Sequence, residues 1–196
     1  MQEAEQVLPR ILDFTKSLMA QTLKEGDVTI DATLGNGYDA LFLRRQVGST
    51  GFVWGFDIQE TALKAATIHF NHHFPGSTNH SFVLKSHANM REVLGEGAVG
   101  SIGGVMFNLG YLPGSDKTVV TQSDTTLSAL EQAIKLLRIG GLLTVVAYPG
   151  HVGGAKEAIE VLRFFMDIPA KTGEVVQYQF LNKQNPAPFL LAMTKK

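Results

Sequence analysis

Four clusters of residues have the types and spacing to do chemistry. The first is Asp31-Ala32-Thr33-Leu34-Gly35-Asn36-Gly37, followed by Asp39. Gly35 and Gly37 permit backbone conformations that a β-carbon penalises, and they let a ligand approach the main chain closely. The second is Asp57-Ile58-Gln59, with Asp57 twenty residues after Gly37. An acid placed there accepts hydrogen bonds from both hydroxyls of a ribose. The third is Ser86-His87-Ala88-Asn89, where His87 or Asn89 offers hydrogen bonds to an adenine ring. The fourth combines Asn108-Leu109-Gly110-Tyr111 with Tyr148-Pro149-Gly150-His151. Each has a plainer reading. Asp57, His87, Asn89 and His151 could cap the helices that follow them, and Asn108 could simply satisfy a turn.

Two cofactor classes compete for the glycine turn. Nicotinamide dinucleotides use a Gly-x-Gly-x-x-Gly turn, and Ala40 at the third position is tolerated there. The leading acid decides between them. Asp31 would repel a pyrophosphate, but it would accept from the ammonium group of S-adenosylmethionine. The expected cofactor is therefore S-adenosylmethionine, bound by Asp31, Thr33, Gly35, Asn36, Gly37, Asp39, Asp57, Ile58, Gln59 and His87, with Asn108 at the same site.

On the substrate side, Asn108-Leu109-Gly110-Tyr111 partly resembles the Asn/Asp-Pro-Pro-Tyr motif of methyltransferases acting on exocyclic nitrogens. Leu109 and Gly110 replace its two prolines. Asn108 can accept hydrogen bonds from an amine and aim its lone pair, and Tyr111 can stack on a flat base. Histidine titrates near neutrality, so His151 can take a proton from an ammonium substrate. Asn108, Tyr111 and His151 are the catalytic candidates. Tyr111, Lys117, Tyr148, His151 and Asn185 are the candidates for holding the substrate. His69, His72, His73 and His80 lack partner acids at metal-ligand spacing and read as surface residues, so no metal is expected.

These clusters need elements to carry them. Apolar spacing predicts a helix over 7–23, stopped at Gly26. Strands are predicted over 28–32, 52–56, 81–84, 102–108 and 142–147. The helices between them start at Tyr38 and span 59–72, 124–137, ended by Gly140-Gly141, and 153–167. Two closing strands, 175–181 and 188–194, have only a short connection between them. Strand–helix alternation ending in such a pair predicts an α/β fold: a mostly parallel, Rossmann-like sheet of seven strands with one antiparallel strand and helices on both faces. That is the class I S-adenosylmethionine-dependent methyltransferase pattern. A single domain is expected over 1–196, with an N-terminal helix in 1–25 and the α/β core in 28–196.

Bulk composition narrows the class. The 196 residues are 44% hydrophobic and 18% charged, as in an ordinary globular domain. The absence of cysteine excludes disulfides and a cysteine nucleophile, and it fits a cytoplasmic setting. No apolar run suits a membrane span, and the acidic start lacks a secretory pattern. A formal net charge of −1 shows no global basic excess for a nucleic acid. Any RNA contact must use local residues such as Arg44-Arg45, Lys117, Lys183 or Lys195-Lys196.

Taken in order, these motifs, with Gly55-Phe56-Asp57-Ile58-Gln59, Asn108 to Lys117, Tyr148-Pro149-Gly150-His151-x-Gly153-Gly154 and Glu157, resemble a small bacterial family labelled rRNA methylases. Its members are associated with tRNA wobble-uridine modification, as 5-aminomethyl-2-thiouridine methyltransferases. The resemblance implies methylation of the aminomethyl nitrogen at wobble position 34, a tRNA anticodon stem-loop as partner, and homodimerisation. Tyr38 stands where that family would carry histidine. A small-molecule or rRNA N-methyltransferase of the same fold, or an NAD-binding oxidoreductase, are the alternatives.

Overall fold

The computed structural model describes residues 7–110, 120–150, 153–183 and 186–196. Seven strands form one sheet: β1 (Val28–Asp31), β2 (Phe52–Asp57), β3 (His80–Leu84), β4 (Ile102–Asn108), β5 (Leu137–Ala147), β6 (Gly173–Tyr178) and β7 (Phe189–Lys195). Their order is β3-β2-β1-β4-β5-β7-β6. β7 runs antiparallel to both β5 and β6, and the other pairs are parallel. The strand order turns back at β1, and β4 lies on its other side. Ligands of open α/β sheets bind at the carboxyl edge beside such a switch point.

Among the described residues six α-helices flank the sheet: α1 (Ile11–Thr22), α2 (Tyr38–Val47), α3 (Glu60–His73), α4 (Met90–Leu94), α5 (Ser123–Leu136) and α6 (Gly154–Met166). The central strands alternate between the two helix layers. Leu143, Val145 and Ala147 pack with α5 and α6, whereas Leu142 and Val146 pack with α1, α2 and α3. β7 repeats the pattern, with Leu191 and Met193 on the first side and Leu190 and Ala192 on the second. Coverage on both faces explains why Leu142–Ala147 of β5 is apolar apart from the buried Thr144.

Three boundaries differ most from the sequence expectation. The first helix starts at Ile11 rather than near residue 7, and Val7 is 91% exposed. Pro9 lacks an N–H and disfavours helix in the residue before it, so the chain enters the helix only after Arg10. Gly140-Gly141 does not separate a helix from a strand. β5 already starts at Leu137, which pairs with Ile102, and bends through Gly140 at a φ of +73°. The register shift between Ile102 and Gly104 absorbs the extra residues. The first closing strand ends at Tyr178, short of residue 181. Among the described residues no helix is long and apolar enough to cross a membrane.

The glycine turn is sterically committed. Gly37 has a φ of +80°, and a β-carbon there would lie 2.9 Å from the Ala66 Cβ of α3. Gly37→Ala should therefore destabilise the fold by about 1–3 kcal/mol. Thermal melting checks this, with a parent-like melting temperature as the contrary result.

Candidate active site

β1 ends at the buried Asp31, which is 1% exposed. Its Oδ1 accepts from the Thr33 N–H at 3.2 Å, while Oδ2 is buried without a partner. Burial, reinforced by the neighbouring Asp39 carboxylate, holds the Asp31 carboxyl well above the usual carboxylate range. A buried acceptor with one unmatched oxygen fits a cationic donor, because an ammonium group would satisfy it and favour its charged form.

Asp57 closes the turn from β2. Its Oδ2 accepts from the Gly35 N–H at 2.9 Å and its Oδ1 from the Gln59 N–H at 2.9 Å. Each carboxylate oxygen has a second lone pair, so Asp57 can still accept from ribose hydroxyls. The cap of α3 is Gln59, so the plain capping reading of Asp57 does not hold. Ile58 follows, 59% exposed, as an apolar surface at the same edge. Asn36 is held by its backbone: the His69 Nδ1–H donates to its carbonyl at 3.1 Å.

His87 sits in a one-turn 3-10 segment, His87–Asn89. Its Nδ1–H donates to the Ala32 carbonyl at 3.2 Å, and Nε2 is buried without a partner. Burial lowers its pKa, so the ring is neutral and Nε2 is an acceptor. Ser86, not His87, caps the segment, accepting from the Ala88 N–H. Asn89 turns outward, and its Nδ2 donates to Glu92 Oε2 at 3.2 Å. Of the two polar candidates on this strand end, only His87 faces the turn.

β4 brings Asn108 to the same edge. Its N–H donates to Thr33 Oγ1 at 2.7 Å, so the Thr33 hydroxyl positions Asn108. The Asn108 Nδ2 donates to Asp39 Oδ2. An ionised carboxylate only accepts, so this bond turns the amide Oδ1 away from Asp39. The Tyr148 hydroxyl lies 3.5 Å from that Oδ1. Burial, and the negative charge of Asp39, raise the Tyr148 pKa and keep the phenol a neutral donor. Tyr111, Lys117, His151 and Asn185 lie outside the described residues.

Lys16 of α1 enters this cluster unannounced by any motif. Its Nζ is 3.6 Å from Asp39 Oδ1 and caps the Phe42 ring at 5.7 Å. Burial raises the Asp39 carboxyl, and Lys16 and the Asn108 amide pull it back down. Lys16→Met should therefore move the Asp39 titration to higher pH, followed by its side-chain carbonyl resonance in NMR. An unmoved midpoint would show that Lys16 does not govern that charge.

Other sequence readings are corrected. Arg44 is 7% exposed, donates to the Gly48 carbonyl and stacks on Phe74 at 4.9 Å, so it is no RNA patch. Lys195 Nζ donates to the Leu137 carbonyl at 2.7 Å. His72 and His73 are exposed as read, but His69 holds the glycine turn and His80 packs on Phe70 with ring centroids 4.2 Å apart. Tyr38 is 62% exposed and meets the His69 ring at 4.8 Å. Among the described residues no group of three His, Asp or Glu side chains could hold a metal ion.

The family model described as "Putative rRNA methylase" matches residues 53–194. The chain belongs to this rRNA methylase family. Its similarity to solved members covers the whole fold. A protein of the same description from Clostridium thermocellum is 34% identical, with a TM-score of 0.92 over 97% of this chain and 100% of that one. A Streptococcus mutans protein solved in complex with SAH is 33% identical, with a TM-score of 0.85 and coverage of 97% and 100%. A chloroplastic tRNA (mnm(5)s(2)U34)-methyltransferase of Arabidopsis thaliana is 37% identical over 90% of this rRNA methylase family chain. The chain spans 66% of that protein's length. The architecture is that of class I S-adenosylmethionine-dependent methyltransferases, with the antiparallel β7 inserted before β6.

Proposed function

We propose that the chain transfers a methyl group from S-adenosylmethionine to the aminomethyl nitrogen of 5-aminomethyl-2-thiouridine at tRNA position 34, giving 5-methylaminomethyl-2-thiouridine. The observation that carries the nitrogen target is the Asn108 amide, held by Asp39 with its Oδ1 turned towards the Tyr148 hydroxyl. The 37% identity to a tRNA methyltransferase supports the choice of tRNA. When bound, the cofactor supplies an electrophilic methyl on a sulfonium whose leaving group needs no acid.

The residues present fit that cofactor. The unmatched Asp31 Oδ2 suits its ammonium, Asp57 its ribose, and His87 Nε2 and Ile58 its adenine. Thr33, Gly35, Asn36, Gly37, Asp39 and Gln59 would form the surroundings of the bound cofactor. Asn108 Oδ1 accepts an N–H of the substrate amine and aims its lone pair along the line of attack. Held by these residues, the cofactor would supply the methyl group to the amine nitrogen, with sulfur keeping the electron pair of the bond that is lost. The amine must be neutral beforehand, and its surplus proton is lost afterwards. Tyr111, Lys117, Tyr148, His151 and Asn185 are the candidates for holding the base and taking the proton. In this reading the protein is a single-domain cytoplasmic homodimer that grips the anticodon stem-loop without a metal ion.

A small-molecule amine is the second reading, favoured by the net charge of −1 and by the structural engagement of Arg44 and Lys195. Nucleoside mass spectrometry of tRNA from cells lacking the gene separates the two. Accumulated 5-aminomethyl-2-thiouridine supports tRNA as substrate, and unchanged wobble uridines reject it.

A further inference from the structure

We infer that Glu157 is a positioning residue for methyl transfer, acting through Thr121 on the backbone that carries Asn108. The inference rests on Asn108 aiming the substrate amine. Three consecutive N–H groups at the end of β4 are each tied to a different part of the fold. Asn108 N–H donates to Thr33 Oγ1, and Leu109 N–H donates to the Val146 carbonyl at 2.9 Å. Gly110 N–H donates to Thr121 Oγ1 at 3.0 Å, while the Thr121 N–H returns a bond to the Gly110 carbonyl at 3.0 Å. The first two anchors belong to the sheet and its first turn. The third depends on a side chain that needs orienting.

Glu157 supplies that orientation. It lies in the first turn of α6 and is 3% exposed. The Thr121 hydroxyl donates to its Oε2 at 2.6 Å, and the Thr126 hydroxyl of α5 donates to its Oε1 at 2.7 Å. A threonine hydroxyl has one hydrogen. With that hydrogen committed to Glu157, the Thr121 oxygen must present a lone pair to Gly110. Without the carboxylate, the hydroxyl can turn its hydrogen elsewhere and the bond to Gly110 loses its direction. Gly110 has a φ of +140°, where side-chain-bearing residues are rarely found, so its own conformation offers little substitute restraint. Only Leu109 separates Gly110 from Asn108, and a misplacement of about 1 Å at a reacting group costs on the order of 100-fold in rate.

The test uses the full chain in three variants. Glu157→Ala should speed hydrogen exchange at the Gly110 amide about tenfold or more. It should lower kcat for tRNA methylation at least tenfold, with KM and cofactor affinity changed by less than about threefold. Glu157→Gln keeps an acceptor for one threonine and gives a hydrogen to the other, so it should restore most of both. Thr121→Val removes the relay without touching the buried carboxylate, and it decides the matter if Glu157→Ala does not fold. Unchanged Gly110 exchange in folded Thr121→Val, or a parent-like kcat with faster exchange, would overturn the inference. Absence of tRNA methylation by the parent protein defeats the proposed substrate alone, because the exchange measurement needs no substrate.

Discussion

Asp31→Asn is expected to stabilise the cofactor-free protein while weakening S-adenosylmethionine binding about 10- to 100-fold. The two effects have one cause. Asp31 is buried with one oxygen unmatched and a second acid, Asp39, beside it, so its charged form is disfavoured in the folded chain. Its folded pKa is raised, which means that the folded state holds the proton more tightly than the unfolded chain. Stability therefore falls as pH rises from the ordinary carboxylate range through the raised folded value. Removing the charge removes that loss. The same substitution removes the anion that the cofactor's ammonium would pair with. Thermal melting across pH, with and without S-adenosylmethionine, measures both. A variant that melts lower than its parent at neutral pH and binds the cofactor equally well would contradict this view of the site.

Asn108→Ala should lower kcat for methyl transfer about 100-fold and leave cofactor affinity within about threefold. The substitution deletes the amide but keeps the backbone N–H that donates to Thr33, so the glycine turn retains its support. Asp39 loses one donor and keeps Lys16. Cofactor titration and steady-state kinetics separate the two roles assigned to Asn108. A large loss of affinity with little change in kcat would make it a cofactor ligand rather than the group that aims the amine.

Much of this arrangement was legible in the sequence because sheet topology places the chemistry. Asp31, Asp57, His87 and Asn108 all follow or end runs that read as strands, so their common edge follows from parallel pairing. Lys16 was not legible. It lies on a helix readable only through its apolar stripe, and its partner Asp39 is 23 positions away. Glu157 was visible as part of a motif, but its bonds to Thr121 and Thr126 depend on how α5 and α6 pack. Arg44 was misjudged although the signal existed. Ala40, Leu43, Arg44 and Val47 share one helical face, and that face is buried. The adjacent pair Arg44-Arg45 invites a reading as surface charge, yet only Arg45 is exposed. The long β5 was hidden by Gly140-Gly141, because a glycine pair marks a helix stop and a strand bend equally well.

The most direct test of the central claim is a single labelling measurement. The purified chain is incubated with tRNA bearing 5-aminomethyl-2-thiouridine and with S-adenosylmethionine labelled in its methyl group, and the nucleosides are then resolved by mass spectrometry. Label is expected on the aminomethyl nitrogen of the wobble nucleoside. Label on a ring carbon, on a ribose or at another tRNA position would contradict it, as would a cofactor that binds while the tRNA stays unlabelled.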